Sequence, residues 1–114
     1  DLQRASASSL GGIESGSIQA VVVDPPYYDN VMYGECADFF YVWLKRTLGQ
    51  RHHDLFRDEL TNKDDEAVAN DSRFTSMGKK RKQLALEDYE RKMAAAFREM
   101  NRVLAADGVL TVMF

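Results

Sequence analysis

The sequence is poor in cysteine and has no long apolar run. Cys36 is the single cysteine among 114 residues, which excludes an internal disulfide and a cysteine-based zinc site. We therefore expect a reducing, cytoplasmic setting, with Cys36 as a small buried residue. No apolar stretch approaches the ~20 residues that a membrane-spanning helix needs, and no signal peptide is visible. We expect no association with a membrane.

The chain also lacks an excess of basic residues. Its formal net charge is −3, which argues mildly against an extended nucleic-acid surface on this chain. Its 45% hydrophobic and 29% charged residues are typical of a globular chain, and its length suffices for one domain at most. His52 and His53 are adjacent in a polar stretch without matched cysteine or carboxylate ligands. We interpret them as exposed residues and predict no metal site.

The only two prolines, Pro25 and Pro26, are adjacent and follow the run Val21–Val23. Three consecutive β-branched residues predict a strand over Ile18–Val23 that is buried on both faces, as at the centre of a parallel sheet. The prolines end this strand because neither can donate to a strand ladder. Asp24 is therefore expected at the carboxyl end of a central strand, which is where ligands bind in open α/β folds.

The sequence Asp24-Pro25-Pro26-Tyr27 forms a compact recognition set for a flat ligand that carries an amino group. Asp24 and the carbonyl oxygen of Pro25 can accept hydrogen bonds from the amine, while the Tyr27 ring stacks on the ligand. Asp24 could instead cap a turn. One of Tyr27 and Tyr28 is expected in the core, and Tyr27 is the better stacking candidate.

The same four residues resemble the catalytic motif of the S-adenosylmethionine-dependent methyltransferases that methylate exocyclic amines of bases. The longer run from Asp24 to Arg46, DPPYYDNVMYGECADFFYVWLKR, is similar to one subgroup, the large bacterial and archaeal adenine-specific DNA methylases of the DUF1156 type. RNA guanine methylases carry the four-residue motif too, and a relative with Asn first methylates protein glutamine. The resemblance continues through the C-terminal helix and strand.

This resemblance implies a direct methyl transfer from S-adenosylmethionine to an exocyclic amine, with N6 of adenine in DNA as the first candidate. It implies catalytic roles for Asp24, Pro25, Pro26 and Tyr27, and a target base that is flipped out of its duplex and stacked on Tyr27. RNA and protein amino groups stay open as substrates. A non-catalytic binding or assembly module derived from such an enzyme also stays open.

Residues near the motif are assigned to the substrate and cofactor sides of the site. Tyr28, Asp29 and Asn30 follow the motif in a predicted loop and are our substrate-binding candidates, with Asp29 also a candidate helix cap. In the resembled family, the segment before the motif strand carries an acidic residue that contacts the cofactor's adenine. Ser6 lies in the corresponding stretch and is our cofactor-binding candidate.

The chain has no G-x-G pattern, whereas the resembled family binds its cofactor through a glycine-rich turn. The chain also starts without methionine and stops on a predicted strand. We therefore expect a fragment of a longer methyltransferase, with the remainder of that protein as a partner and little activity by itself. Its oligomeric state is left open.

Apolar spacing outside the motif predicts two helices and a second strand. The helices are predicted over Glu35–Leu48 and Leu86–Ala105, and the strand over Val109–Phe114. Strand, helices and strand form a βαβ unit with parallel strands, as in the middle of a Rossmann-like α/β sheet. The resemblance implies that this sheet is that of a methyltransferase. The first helix is so aromatic that we expect it to pack on the sheet or on a partner segment.

The chain is thus read as one domain fragment, 1–114, with three parts. The motif strand and catalytic loop span 18–27, a polar and charged insertion spans 50–83, and the last helix and strand span 84–114. An insertion of this length is a lid, a binding insertion or a disordered segment. Its basic end, Lys79–Lys82, either contacts phosphate or is a solvated approach to the next helix.

Overall fold

The computed structural model describes residues 5–113 and has a mixed α/β architecture. The two strands pair in parallel in one sheet, which confirms the predicted parallel βαβ unit. No helix in this described range is long and apolar enough to cross a bilayer. In chain order the elements are strand β1 (Ile18–Val23), helix α1 (Tyr33–Leu48), a 3₁₀-helical segment (Asp71–Lys80), helix α2 (Arg81–Val103) and strand β2 (Leu104–Val112).

Strand β1 has its predicted bounds, whereas β2 begins earlier than predicted. Ile18 pairs with Leu104, but Ala20 pairs with Val109, so β2 bulges between these two pairs. A Cβ atom at Gly108 would lie 3.0 Å from the carbonyl oxygen of Ile18. Glycine therefore lets the bulge lie close against β1. Phe114, the last residue of the predicted strand, lies outside the described residues.

The prediction that β1 is buried on both faces is wrong for the described chain. Val22 is 65% exposed, whereas Val21 and Val23 are partly buried. The reason is that the described sheet has only two strands, and α2 packs against it through β2. The run of β-branched residues therefore indicated a strand but not its degree of burial.

Helix α2 begins at Arg81 instead of Leu86 and ends at Val103 instead of Ala105, because the chain passes directly from α2 into β2. Within α2, Met100 is buried and Met93 is partly buried.

The insertion at 50–83 packs against both helices instead of standing apart from them. The described chain has five buried apolar residues: Val68, Ala69, Ala85, Met100 and Val103. The first two come from this insertion. The small core therefore lies between the insertion and α2. The last part of the insertion is the 3₁₀-helical segment, whose backbone leaves the helical region at Phe74 and Gly78.

Helix α1 begins without a side-chain cap of its own. Its N-cap residue, Met32, has no side chain that accepts a hydrogen bond, and Asp29 does not fill the predicted capping role. Glu66 of the insertion does so instead, because its Oε1 accepts a 2.9 Å hydrogen bond from the backbone N–H of Gly34. The insertion thus satisfies one of the free N–H groups at the start of α1.

The aromatic side of α1 is exposed in the described chain. Phe39 and Phe40 are each 65% exposed and Trp43 is 55% exposed. Within the described chain α1 does not pack on the sheet, since none of its residues is buried, and the alternative of a partner segment stays a prediction. Cys36 is also exposed, not buried as predicted, because it lies on this uncovered helix.

Candidate functional site

The motif lies at the edge of the sheet where both strands end. Val23 pairs with Val112, and its carbonyl oxygen accepts a 2.9 Å hydrogen bond from the backbone N–H of Met113. Asp24 and Pro25 then leave the sheet at this carboxyl edge. The valine run and the two prolines predicted this carboxyl edge, but the described sheet has only two strands and so does not show the predicted central position of β1.

A tight turn follows the prolines. The backbone N–H of Asn30 donates to the carbonyl oxygen of Tyr27 at 2.9 Å. Tyr28 lies inside this turn with a φ of 44°, in the left-handed region that disfavours residues with a side chain. Such a conformation costs on the order of 1–3 kcal/mol, and surrounding contacts must hold it. One such contact is the 2.9 Å hydrogen bond from the N–H of Ala69 to the Tyr28 carbonyl.

Helix α2 holds the same loop through Tyr89. The Tyr89 hydroxyl donates a 2.9 Å hydrogen bond to the carbonyl oxygen of Pro26. Its ring also meets the Tyr28 ring edge-to-face, with 5.7 Å between the ring centres. The sequence analysis predicted only that Tyr89 lies within the second helix. Its hydroxyl could have indicated a contact with another segment, because the hydroxyl of a partly buried tyrosine needs a hydrogen-bond partner.

Tyr27 orients the carboxylate of Asp24. The Tyr27 hydroxyl donates a 2.8 Å hydrogen bond to Oδ1 of Asp24. This bond, aided by partial desolvation and by the negative charge of Asp24, raises the pKa of Tyr27 above its ordinary value of 10.0. The phenol therefore stays protonated and keeps donating at neutral pH. Both side chains are exposed, so a ligand can reach them.

The first three motif residues and Ser6 line one cavity of about 550 Å³, called here the Asp24 cavity. Its size is in the range of small-molecule sites. The structure therefore brings the cofactor candidate Ser6 together with Asp24, Pro25 and Pro26.

The walls of the Asp24 cavity carry both signs of charge. Asp64 and Asp65 come from the insertion, and Arg91 and Lys92 come from α2. Lys92 also holds the insertion in place, since its Nζ donates to the carbonyl oxygen of Glu66 at 2.9 Å. It also forms an ion pair of 2.9 Å with Asp88. The insertion is thus a fixed wall of the cavity, built by contacts that the sequence did not reveal.

The three substrate candidates, Tyr28, Asp29 and Asn30, do not line the Asp24 cavity. Tyr28 and Asp29 line a second cavity of about 340 Å³, called the Tyr28 cavity, together with Lys82 of α2. Asn30 lines neither cavity, and its described role is the hydrogen bond that closes the turn. Consecutive parts of one loop therefore contribute to two cavities.

The segment that follows Ser6 is fastened to the C-terminal end of α2. Glu99 Oε2 accepts a 2.9 Å hydrogen bond from the backbone N–H of Leu10, and the Arg102 guanidinium donates to the carbonyl oxygens of Leu10 and Ile13 at 3.0 Å. Hydrogen bonds from Arg102, and then from Leu10, lower the pKa of Glu99 from 4.5 to about 2. This latch keeps the Ser6 segment beside the Asp24 cavity.

Neither histidine takes part in these cavities. His52 and His53 are exposed, as predicted. Within residues 5–113, no group of three His, Cys, Asp or Glu side chains is placed to hold a metal ion.

The chain matches no model of a known protein family, no curated protein and no solved structure. Evidence for a function therefore comes from the motif, from its resemblance and from the geometry of the two cavities.

Proposed function

We propose that this chain forms the target-amine half of an S-adenosylmethionine-dependent methyltransferase that acts on exocyclic amines, with N6 of adenine in DNA as the first candidate. The observation that carries the proposal is the placement of Asp24. Its exposed carboxylate stands at the carboxyl edge of the sheet, is oriented by Tyr27, and lines a cavity of small-molecule size. The resemblance of the motif supplies the reaction.

Two acceptors in the loop are available for the hydrogens of an amine. One is the Asp24 carboxylate, which keeps Oδ2 for a ligand while Oδ1 accepts from Tyr27. The other is the Pro25 carbonyl oxygen, because Tyr89 donates to the carbonyl of Pro26 instead. The lone pair of such an amine is delocalised into its ring and is a poor nucleophile. Accepting both hydrogens draws the nitrogen toward tetrahedral geometry and frees the lone pair for attack.

The charges of the Asp24 cavity fit the proposed cofactor. When bound, S-adenosylmethionine supplies a methyl group on a cationic sulfur, and the C–S bond breaks onto sulfur as the new N–C bond forms. Asp24, Asp64 and Asp65 suit its positive charges, and Arg91 and Lys92 suit its carboxylate. Asp24 also stands where it can guide the excess amine proton to solvent. We assign the chain only half of the site because it has no glycine-rich turn.

The target ring is placed against Tyr27. Its side chain is 40% exposed, and its hydroxyl is anchored to Asp24, which limits how the ring can turn. A base inside a duplex cannot reach such a loop, so it must leave the stack, and the Tyr27 ring replaces part of the stacking that is lost.

The proposal is tested with Asp24→Ala in the product of the complete gene. Transfer of a labelled methyl group from S-adenosylmethionine to DNA, RNA and protein is measured for the wild type and the variant. We expect the rate to fall on the order of a hundredfold or more, because a preorganised charge at the reacting nitrogen is lost. Asp54→Ala is the control, since this exposed carboxylate makes no hydrogen bond or ion pair within residues 5–113. Full activity of a correctly folded Asp24→Ala protein overturns the proposal.

The substrate and the completeness of the site are decided by two further results. Transfer only to RNA or to protein would move the proposal to that substrate class. Calorimetric binding of S-adenosylmethionine to the complete gene product but not to this chain would support a split cofactor site. Binding to neither would favour the binding or assembly module over the enzyme.

A further inference from the structure

A cluster of basic side chains lies where the 3₁₀-helical segment meets α2. It consists of Lys79, Lys80, Arg81 and Lys82, and all four residues are exposed. Arg81 is paired with Asp71 at 3.1 Å. The three lysines form no ion pair or hydrogen bond through their side chains in the part of the chain that the structure describes, so their ammonium groups are available to a ligand.

Three residues of the cluster, Lys79, Arg81 and Lys82, line an open cavity of about 430 Å³, called here the lysine cavity, and Lys80 lies next to Lys79 in the chain. The lining of this cavity consists of Thr75, Gly78, Lys79, Arg81 and Lys82, so it contains no acidic residue. Gly78 turns the chain at this point with a φ of 59°, a conformation that favours glycine. The turn allows residues on both sides of Gly78 to line the same cavity.

Lys82 connects the lysine cavity to the motif loop. It lines the lysine cavity and also the Tyr28 cavity, where it is joined by Tyr28 and Asp29. The Tyr28 cavity contains the carboxylates of Asp29 and Asp71, which disfavour an anion there. A phosphate is therefore expected beyond Lys82, in the lysine cavity, and an uncharged ring on the side of the motif loop.

We propose that Lys79, Lys80 and Lys82 bind the phosphodiester backbone of a nucleic-acid strand whose target base enters beside the motif loop. This inference rests on the proposed function and narrows its substrate to nucleic acid instead of protein. Contacts to backbone phosphates place a strand without reading its sequence, which suits residues next to a reacting base. The overall charge of −3 does not oppose it, because no acidic residue lines the lysine cavity and the local field there is set by the cluster.

The test compares two triple variants that each remove three positive charges. One is Lys79→Gln/Lys80→Gln/Lys82→Gln. The control is Arg51→Gln/Arg57→Gln/Arg98→Gln, which changes exposed residues outside the three cavities. Fluorescence anisotropy measures binding of short labelled DNA and RNA strands of the same sequence at several salt concentrations, and circular dichroism checks the fold of each variant.

Wild type and the arginine control are expected to bind with a salt-dependent affinity. Counterion release contributes a slope of about 0.7 per phosphate in single strands, so the lysine variant should lose about 2 from the slope of log K against log salt. The loss should be the same for strands of different sequence. Binding of DNA alone, RNA alone or both supports the phosphate contact and identifies the sugar that the site accepts.

Three results overturn the inference: no binding of either nucleic acid by the wild type, unchanged binding by the lysine variant, or equal weakening in both triple variants. The assay does not measure methyl transfer, so the two proposals fail separately. If methyl transfer is active but nucleic-acid binding does not depend on the lysines, only this inference is contradicted. Lysine-dependent binding without any transfer contradicts only the proposed function.

Discussion

The hydroxyl of Tyr89 and the carbonyl oxygen of Pro26 are joined by a hydrogen bond of 2.9 Å across 63 positions of sequence. It ties the middle of α2 to the loop that follows β1. The bond uses the carbonyl of the second proline and leaves that of the first for a ligand. In the proposed function, the helix therefore determines which carbonyl oxygen of the motif remains for the substrate.

Tyr89→Phe removes this bond and keeps the ring that meets Tyr28. We expect unfolding free energy to fall by about 1 kcal/mol, the typical net value of such a bond, and the rate of methyl transfer to fall as well. Urea unfolding and labelled-methyl transfer measure the two effects. Tyr41→Phe is the matched control, because the Tyr41 hydroxyl also donates to a carbonyl oxygen, that of Asp58, away from the motif. If both variants transfer methyl groups equally well, Tyr89 does not position the loop.

Two substitutions at Tyr27 separate its hydroxyl from its ring. Tyr27→Phe loses the bond to Asp24 and keeps the stacking surface, whereas Tyr27→Ala loses both. Stacking of a base on an aromatic ring is worth roughly 1–3 kcal/mol, so kcat/KM should be lower by about fivefold to a hundredfold in the alanine variant than in the phenylalanine variant. Equal kcat/KM values for the two variants would contradict stacking on Tyr27.

Acid should loosen the latch between Glu99 and Arg102. The pKa of Glu99 is 4.5 ordinarily and about 2 in the folded chain. A lowered folded pKa contributes stability above the unfolded value, and this contribution is lost as pH falls from about 4.5 toward 2. The melting temperature of Glu99→Gln should therefore fall less steeply with decreasing pH over that window than the melting temperature of the wild type. Glu90→Gln, an exposed carboxylate on the same helix, should leave the slope unchanged. Identical pH profiles for Glu99→Gln and wild type would exclude the latch as a stabilising contact.

Glu66 should stabilise α1 from outside the helix. Glu66→Ala removes the acceptor for the N–H of Gly34, and loss of such a cap costs about 1 kcal/mol. Glu59→Ala removes an exposed carboxylate of the same insertion that forms no described hydrogen bond, and should change stability by no more than about 0.5 kcal/mol. Chemical unfolding measures both. If Glu66 does not cap α1, Glu66→Ala and Glu59→Ala should lower the unfolding free energy by equal and small amounts.

The sequence predicted the position of the motif well. Val21–Val23 and the two prolines fixed the end of β1 through local chemistry, since β-branched residues favour strands and proline ends them. Parallel pairing with the second strand followed from the βαβ order alone. These features depend on a few neighbouring residues, which is why a single sequence reveals them.

Features that depend on distant residues were not predictable in the same way. The burial of Val22 depends on how many elements cover the sheet, and the cap of α1 comes from Glu66 in another segment. The polar insertion was predicted to be a lid, a binding insertion or a disordered segment, and its buried pair, Val68 and Ala69, is too short and aperiodic to choose between them. For Tyr89, the hydroxyl was the only feature of the sequence that indicated a contact with another segment. In the sequence, only Gly108 indicates the bulge of β2, and a glycine at this position is also typical of the end of a helix.

The parallel pairing of β1 with β2 also has a consequence for the order of folding. β1 finds its described partner at the opposite end of the sequence, and Leu10 bonds to Glu99 across 89 positions. Such distant contacts carry a large loop-closure entropy and form slowly, whereas α1 and α2 can form locally. The helices should therefore form before the sheet, and the loop from Asp24 to Asn30 should take its final shape late, once both strands have met.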